Sequence, residues 1–141
     1  MAWIKPHKTI GVNYLERWHI IPRNRFFNIY LHKFSGSDDD RALHDHPWPS
    51  VSFLLKGRLH EIYKVEISGF SFDVRKPITR FKPVFRSASH AHRLELRSKA
   101  AWTIFITGPR VREWGFHCAK GWRHWSLMAD SQGNNIGGCD D

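Results

Sequence analysis

The sequence predicts an all-β protein, an antiparallel sandwich or barrel with little helix. Short runs rich in β-branched and aromatic residues recur along the chain, and glycine, proline and other turn formers separate them. Several of these runs alternate apolar and polar positions, as strands with one buried face do. Because such a strand can bury its apolar face only against another layer, the pattern favours two packed sheets or a closed barrel.

The first elements are predicted from local patterns. A short helix is expected around residues 13–18, where Tyr14 and Trp18 would share one helical face. Residues 26–34 are rich in aromatic and β-branched residues and predict a strand with one buried face.

The middle of the chain predicts a hairpin. Residues 51–55 form a short apolar strand, residues 59–63 a returning strand, and Gly57 marks a tight turn between them. An edge strand is expected within residues 69–83, which basic residues and prolines interrupt. Two further strands are predicted at residues 101–107 and 111–118.

Two pairs of histidines carry the main chemical signal. His44 and His46 stand one residue apart at the start of an apolar run, and His90 and His92 repeat the spacing. On a strand, residues two apart lie on one face, roughly 6.5–7 Å apart, so the rings of a pair can bind one metal ion. Inward residues of different strands converge in a barrel, so the two pairs can meet there. His92 is favoured over His90 as a ligand because a regular strand follows it, whereas His90 would be a fourth ligand of a closed, structural site.

Glu61 and Tyr63 are candidate catalytic residues. Alternation places them on the same strand face as Leu59, which is unusual for a carboxylate. Attraction to a nearby metal would offset the cost of desolvating an inward-pointing carboxylate. Either residue is therefore a candidate proton partner next to the metal ligands.

Length and composition indicate one domain. The chain has 141 residues, enough to bury a core without disulfides, and residues 1–130 are expected to form the barrel. Residues 131–141 have almost no apolar content and predict a disordered tail. The two cysteines, Cys118 and Cys139, have no spacing that indicates a disulfide scaffold or a thiolate zinc site. No run is apolar enough for a membrane span or a signal peptide, so a cytoplasmic location is expected.

The formal net charge of +9 bears on the choice of partner. Such a charge permits nucleic-acid binding through phosphates, but the basic residues are scattered and no nucleic-acid-binding motif is present. Small anionic molecules would be attracted equally. Four arginines near the second histidine pair and the last strands are candidate cations for such a ligand: Arg93, Arg97, Arg110 and Arg112.

The histidine segments resemble the motifs of the cupin superfamily, in which a His-x-His pair is followed by a glutamate and then a glycine. His44, His46 and Gly57 fall on that spacing, Ser50 takes the place of the glutamate, and His92 fits the histidine of the second motif. Residues 43–48, 92–96, 107–110 and 114–116 resemble more closely small cupin-like proteins encoded by bacteriophages and prophages. The resemblance extends from Tyr14 to Trp125.

The resemblance implies a jelly-roll barrel and a site of three histidines, because Ser50 supplies no carboxylate. Similar proteins use such a site for ferrous iron in thiol dioxygenation or for zinc. The implied function is a metal-dependent oxygenase-type enzyme acting on a small anionic molecule. The alternatives are a non-catalytic cupin that binds a sugar or metabolite, and a basic phage protein that binds nucleic acid; a homodimer is left open.

Overall fold

The structure, a computed structural model, describes residues 6–10, 14–37, 42–118 and 120–127. Within them the chain forms short strands and one 3-10 turn at Trp125–Leu127. All strand pairs within the sheets are antiparallel, so the predicted fold class is confirmed. The strands are β1 (Lys8–Ile10), β2 (Leu15–His19), β3 (Asn28–Phe34), β4 (Leu43–His44), β5 (Ser50–Lys56), β6 (Leu59–Ile67), β7 (Phe70–Pro77), β8 (Val84–Arg86), β9 (Arg93–Leu96), β10 (Ala101–Thr107), β11 (Gly115–Cys118) and β12 (Gly121–His124).

The strands are distributed over one large and two small sheets. The large sheet has six strands in the order β1-β2-β3-β10-β5-β8. The small sheets have three strands each, in the orders β12-β11-β4 and β7-β6-β9. Paired strands far apart in sequence, such as β3 with β10 and β4 with β11, bring distant segments together.

The buried face of β3 is its polar and aromatic one. Along this strand Asn28, Tyr30, His32 and Phe34 are buried and the residues between them are half-buried. The same alternation on β5 and β10 turns serine, threonine and alanine side chains inward together with Leu54. The interior of the large sheet therefore offers polar groups as well as apolar surface.

An apolar core joins the large sheet to the β7-β6-β9 sheet. Leu54 and Ala101 of the large sheet pack with Leu59 of β6, and Leu94 and Leu96 of β9 lie against this cluster. Since apolar burial is concentrated there, it fixes the two sheets face to face and leaves the histidine-bearing strands in the more polar remainder of the interior.

The predicted helix near residue 13 is wrong within the described part of the chain. Residues Leu15–His19 form β2, with Trp18 opposite Leu31 and Leu15 opposite Phe34 on β3. The backbone groups of a short segment are satisfied by an adjacent strand as well as by a helix, and local propensity is a weak guide between the two.

The predicted hairpin of β5 and β6 is also wrong. β5 pairs with β10 and β8, whereas β6 pairs with β7 and β9, so Gly57 carries the chain from one sheet to another. Gly57 has a φ of 87°, and a Cβ at this position would lie 2.2 Å from the Ala100 carbonyl oxygen. The glycine therefore serves a close crossing at a sheet corner, not a two-stranded turn.

Other predicted elements are observed with changed bounds. β7 is an exposed edge strand as expected, and the last predicted strand is shorter, beginning at Gly115. Cys118 is disulfide-bonded, which its spacing in the sequence did not indicate. No described helix is long and apolar enough to cross a membrane. The predicted tail at residues 131–141 lies outside the described residues.

Candidate metal centre

Backbone pairing brings the two histidine segments together. His44 and His92 form an antiparallel bridge in which each amide N–H donates to the other carbonyl, at 2.9 and 3.0 Å. The amide N–H of His46 donates to the Ala88 carbonyl at 3.0 Å. Cross-strand neighbours project to the same side, so the pairing sets the three rings beside one another.

The rings of His44, His46 and His92 form a compact triangle. Their centroids lie 5.2 Å apart for His44 and His46, 5.1 Å for His44 and His92, and 5.0 Å for His46 and His92. One ring nitrogen from each lies within 4.8 Å of the other two. Two nitrogens bound to one ion at about 2.0–2.1 Å can be up to roughly 4 Å apart, so small ring rotations would fit them to a metal.

The chemistry of the donor set also fits a metal. Burial, and after it the neighbouring His44, holds the pKa of His46 well below its ordinary value. Nδ1 of His46 is buried and has no hydrogen-bond partner in the described part of the chain. A neutral imidazole is the form that binds a metal, so His46 is ready to act as a ligand without losing a proton.

Glu61 fixes the orientation of the His92 ring. Its Oε2 lies 2.5 Å from Nδ1 of His92 and accepts a hydrogen bond from Nε of Arg86 at 2.6 Å. Arg86 also donates from Nη1 to the Ser52 hydroxyl at 2.8 Å. With Nδ1 bound to the carboxylate, Nε2 is the nitrogen of His92 left for a metal. A carboxylate behind a metal-ligating histidine is a common arrangement.

The charges in this network stabilise one another. Burial alone would raise the pKa of Glu61, but the nearby His90, the hydrogen bond from His92 and the charge of Arg86 hold it far below its ordinary value. Burial lowers the pKa of His92 to about 4, against the opposing effect of Glu61. Glu61 and Arg86 are therefore a buried ion pair, and His92 is neutral near pH 7.

His90 and Tyr63 lie on the Glu61 side of the centre. His90 forms a second group with Glu61 and His92, and its Nε2 is 3.4 Å from Glu61 Oε2. The Tyr63 ring lies 5.7 Å from that of His90. The structure thus brings every predicted site residue into one neighbourhood, but it groups His90 with the carboxylate and not with His44 and His46.

Asp45 and Arg86 are site residues that sequence reasoning missed. Asp45 is only 1% exposed. Its carboxylate accepts hydrogen bonds from the Gly115 amide, the Trp122 indole and the His117 ring, and it forms an ion pair with Arg112. Asp45 points away from its histidine neighbours and anchors their segment to β11 and β12. The position of Asp45 between two candidate ligands was a signal in the sequence, whereas nothing there marked Arg86.

The predicted steering arginines are mostly engaged elsewhere. Arg112 pairs with Asp45 at 2.9 Å, Arg110 with Glu113 at 2.8 Å and Arg97 with Glu95 at 3.2 Å. Paired in this way they contribute little net attraction for an anion, whereas Arg86 lies in the hydrogen-bonded network of the centre.

Aromatic rings border the histidine triangle. Trp48 stacks on His46 with centroids 5.2 Å apart, and Trp114 and Phe116 lie 6.4 and 6.0 Å from His44. Phe105 contacts Trp48 at 5.4 Å. Such rings provide apolar surface beside the histidines.

Several known structures have a fold similar to that of this chain. A cupin superfamily protein from Desulfitobacterium hafniense is 11% identical, with a TM-score of 0.53 over 72% of this chain and 83% of that one. The iron(II) form of HppE is 14% identical, with a TM-score of 0.55 over 70% and 54% of the two chains. The chain has the fold of a cupin jelly roll. DMSP lyase DddQ from Ruegeria pomeroyi is 14% identical, with a TM-score of 0.50 over 67% and 47% of the chains.

These likenesses concern the fold. The chain spans about half the length of HppE and of the lyase. No family model and no curated protein matches the sequence.

Ser50 occupies the position where the motif glutamate was expected. It stands on β5 directly opposite Arg86 on β8, and both are buried. The expected motif carboxylate is absent there, and Glu61 of β6 supplies a carboxylate to His92 instead. The acid of this centre thus lies behind a histidine and not beside the histidine triangle.

Proposed function

We propose that the protein binds one divalent transition-metal ion, iron or zinc, through His44, His46 and His92. The observation that carries this proposal is the convergence of three imidazole nitrogens within 4.8 Å of one another. The ligand set is neutral, so a bound metal would keep its full positive charge and act as a Lewis acid toward an anionic or chelating ligand.

We infer further that the centre is that of an oxygenase-type enzyme acting on a small anionic molecule. Three protein ligands leave coordination positions open, which a catalytic site requires. Glu61 orients His92 from behind, and His90 and Tyr63 lie beside that carboxylate as candidate proton partners. HppE, which shares the fold, was solved in an iron(II) form.

An oxygen-consumption assay tests the enzymatic proposal. Protein loaded with ferrous iron should consume oxygen when small thiols and carboxylic acids are added, and iron-free protein and His44→Ala should not. If the metal-loaded protein consumes no oxygen with any of them, the oxygenase assignment is wrong. Tight binding of a sugar without turnover would then support the alternative, a non-catalytic binding cupin.

The ligand assignment predicts different effects for the two histidines of the second pair. His92→Ala should abolish tight metal binding, whereas His90→Ala should retain it, because His90 faces Glu61 and not the histidine triangle. Metal affinity measured by competition with a chromophoric chelator distinguishes the variants. Loss in both would indicate a closed four-histidine site, and loss only in His90→Ala would contradict the choice of His92.

Several expectations stay predictions: a cytoplasmic location, a phage or prophage origin, a homodimer, and nucleic-acid binding as the least supported alternative. None of them is needed for the metal proposal.

A further inference from the structure

A cluster of basic side chains lies at the β1 edge of the large sheet, away from the histidine centre. Lys8 of β1 stands directly opposite Arg17 of β2, and the rings of His7 and His19 stack with centroids 4.6 Å apart. Like charges directly opposite in an antiparallel pair destabilise it. No described carboxylate forms an ion pair with any of these four residues or with nearby Arg23.

Arg17 is the member of the cluster that turns inward. It shares a strand face with buried Leu15, and its Nε donates to Nε2 of His32 at 2.9 Å. Its guanidinium carbon lies 4.2 Å from the centroid of the Tyr30 ring. His32 and Tyr30 are 4% and 2% exposed, so the cation rests on two buried, uncharged partners. A desolvated charge without a counter-ion is costly.

The electrostatics of the cluster agree with this geometry. Burial lowers the pKa of Arg17, as does the positive charge of Arg23, and the pKa of Lys8 is lowered by burial, Arg17 and Arg23. Burial also holds the pKa of His32 well below its ordinary value, so this ring stays neutral and accepts from Arg17. A bound anion would relieve the repulsion between the cations.

We propose that Arg17 and Lys8 form a binding site for a phosphate or carboxylate group of a small molecule. Only Nε of Arg17 is engaged with a described residue, which leaves the two terminal nitrogens for the bidentate geometry that guanidinium makes with oxyanions. Lys8 is exposed and stands across the strand pair as a second cation. A nucleic-acid backbone would contact side chains that project from the surface, whereas Arg17 faces the interior.

The site goes beyond the proposed metal function and shares no residue with it. A path of ring contacts nevertheless connects the two. His32 lies 5.3 Å from Phe105, Phe105 lies 5.4 Å from Trp48, and Trp48 stacks on His46. The proposed anion site and the histidine triangle are therefore connected by packed rings.

The test uses inorganic phosphate and acetate as probes in calorimetric titrations of chelator-treated protein at low salt. The wild type should bind at least one of them with a stoichiometry of one per chain. Arg17→Ala should weaken binding at least about tenfold, as expected for a charge-assisted bidentate contact. Arg17→Lys should also weaken it, because lysine lacks the fork. Because the protein is metal-free, the result is independent of whether the metal proposal holds.

Control variants keep the result interpretable. Arg58→Ala removes one exposed positive charge from the connection between β5 and β6 and should leave binding unchanged. Lys8→Ala changes an exposed side chain and should weaken binding even if Arg17→Ala fails to fold. Absence of saturable binding, or binding that neither variant weakens, overturns the proposal. An Arg17-dependent affinity for a single-stranded oligonucleotide far above that for both probes overturns its small-molecule part.

Discussion

The His46→Ala variant should purify without stoichiometric metal, whereas the wild type should carry about one ion per chain. His46 supplies one of three converging imidazoles, and its Nδ1 has no partner among the described residues. With two ligands left, water must complete the coordination sphere and the affinity gained from a preformed site is lost. Elemental analysis after metal reconstitution and desalting measures the effect.

A matched control for this variant is His60→Ala. His60 is a half-buried histidine on β6 that belongs to neither described group of metal-ligating side chains. It should retain the wild-type metal content, and circular dichroism should show that both variants are folded. Equal metal content in His46→Ala and the wild type would contradict the assignment of His46.

Replacing Glu61 by leucine should lower the free energy of unfolding by about 3–5 kcal/mol, the range for a buried pair that loses one partner. The side chain of Arg86 is only 4% exposed, and Glu61 is its counter-ion at 2.6 Å. Leucine leaves that guanidinium buried with the Ser52 hydroxyl as its one remaining described side-chain partner. Urea unfolding of metal-free protein measures the change.

The double variant Glu61→Leu, Arg86→Leu separates the ion pair from packing. It should recover much of the lost stability, because no uncompensated charge remains. Glu95→Leu is the matched control, since both partners of Glu95, Arg75 and Arg97, are exposed; it should cost less than about 1 kcal/mol. If Glu61→Leu costs no more than this control, or the double variant is as unstable as the single one, Glu61 and Arg86 do not stabilise each other as described.

Short-range patterns in the sequence were sufficient for the strands and for the histidine pairs. β3 was predicted from its residue types and its alternation, and β5 and β10 were predicted from their apolar and β-branched residues. The convergence of His44, His46 and His92 was expected from spacing and from the geometry of a barrel, and the three rings do lie together. The strand predictions depend on residue types within a few positions. The convergence of the histidines depends on a geometry that any closed sheet imposes.

Pairing between distant strands could not be predicted in the same way. Gly57 suits a hairpin turn as well as a sheet corner, and only the partners of β5 and β6 decide between them. Likewise, β2 is a strand because β3 satisfies its backbone, although its local pattern allowed a helix.

Local sequence patterns were therefore enough to predict the all-β fold class and the candidate metal ligands. The contacts of Glu61 with His92 and Arg86, and of Arg17 with His32, became visible in the folded chain alone. They join strands whose register depends on the whole set of backbone hydrogen bonds. A shift of one residue in any of them would turn every side chain of that strand to the opposite face.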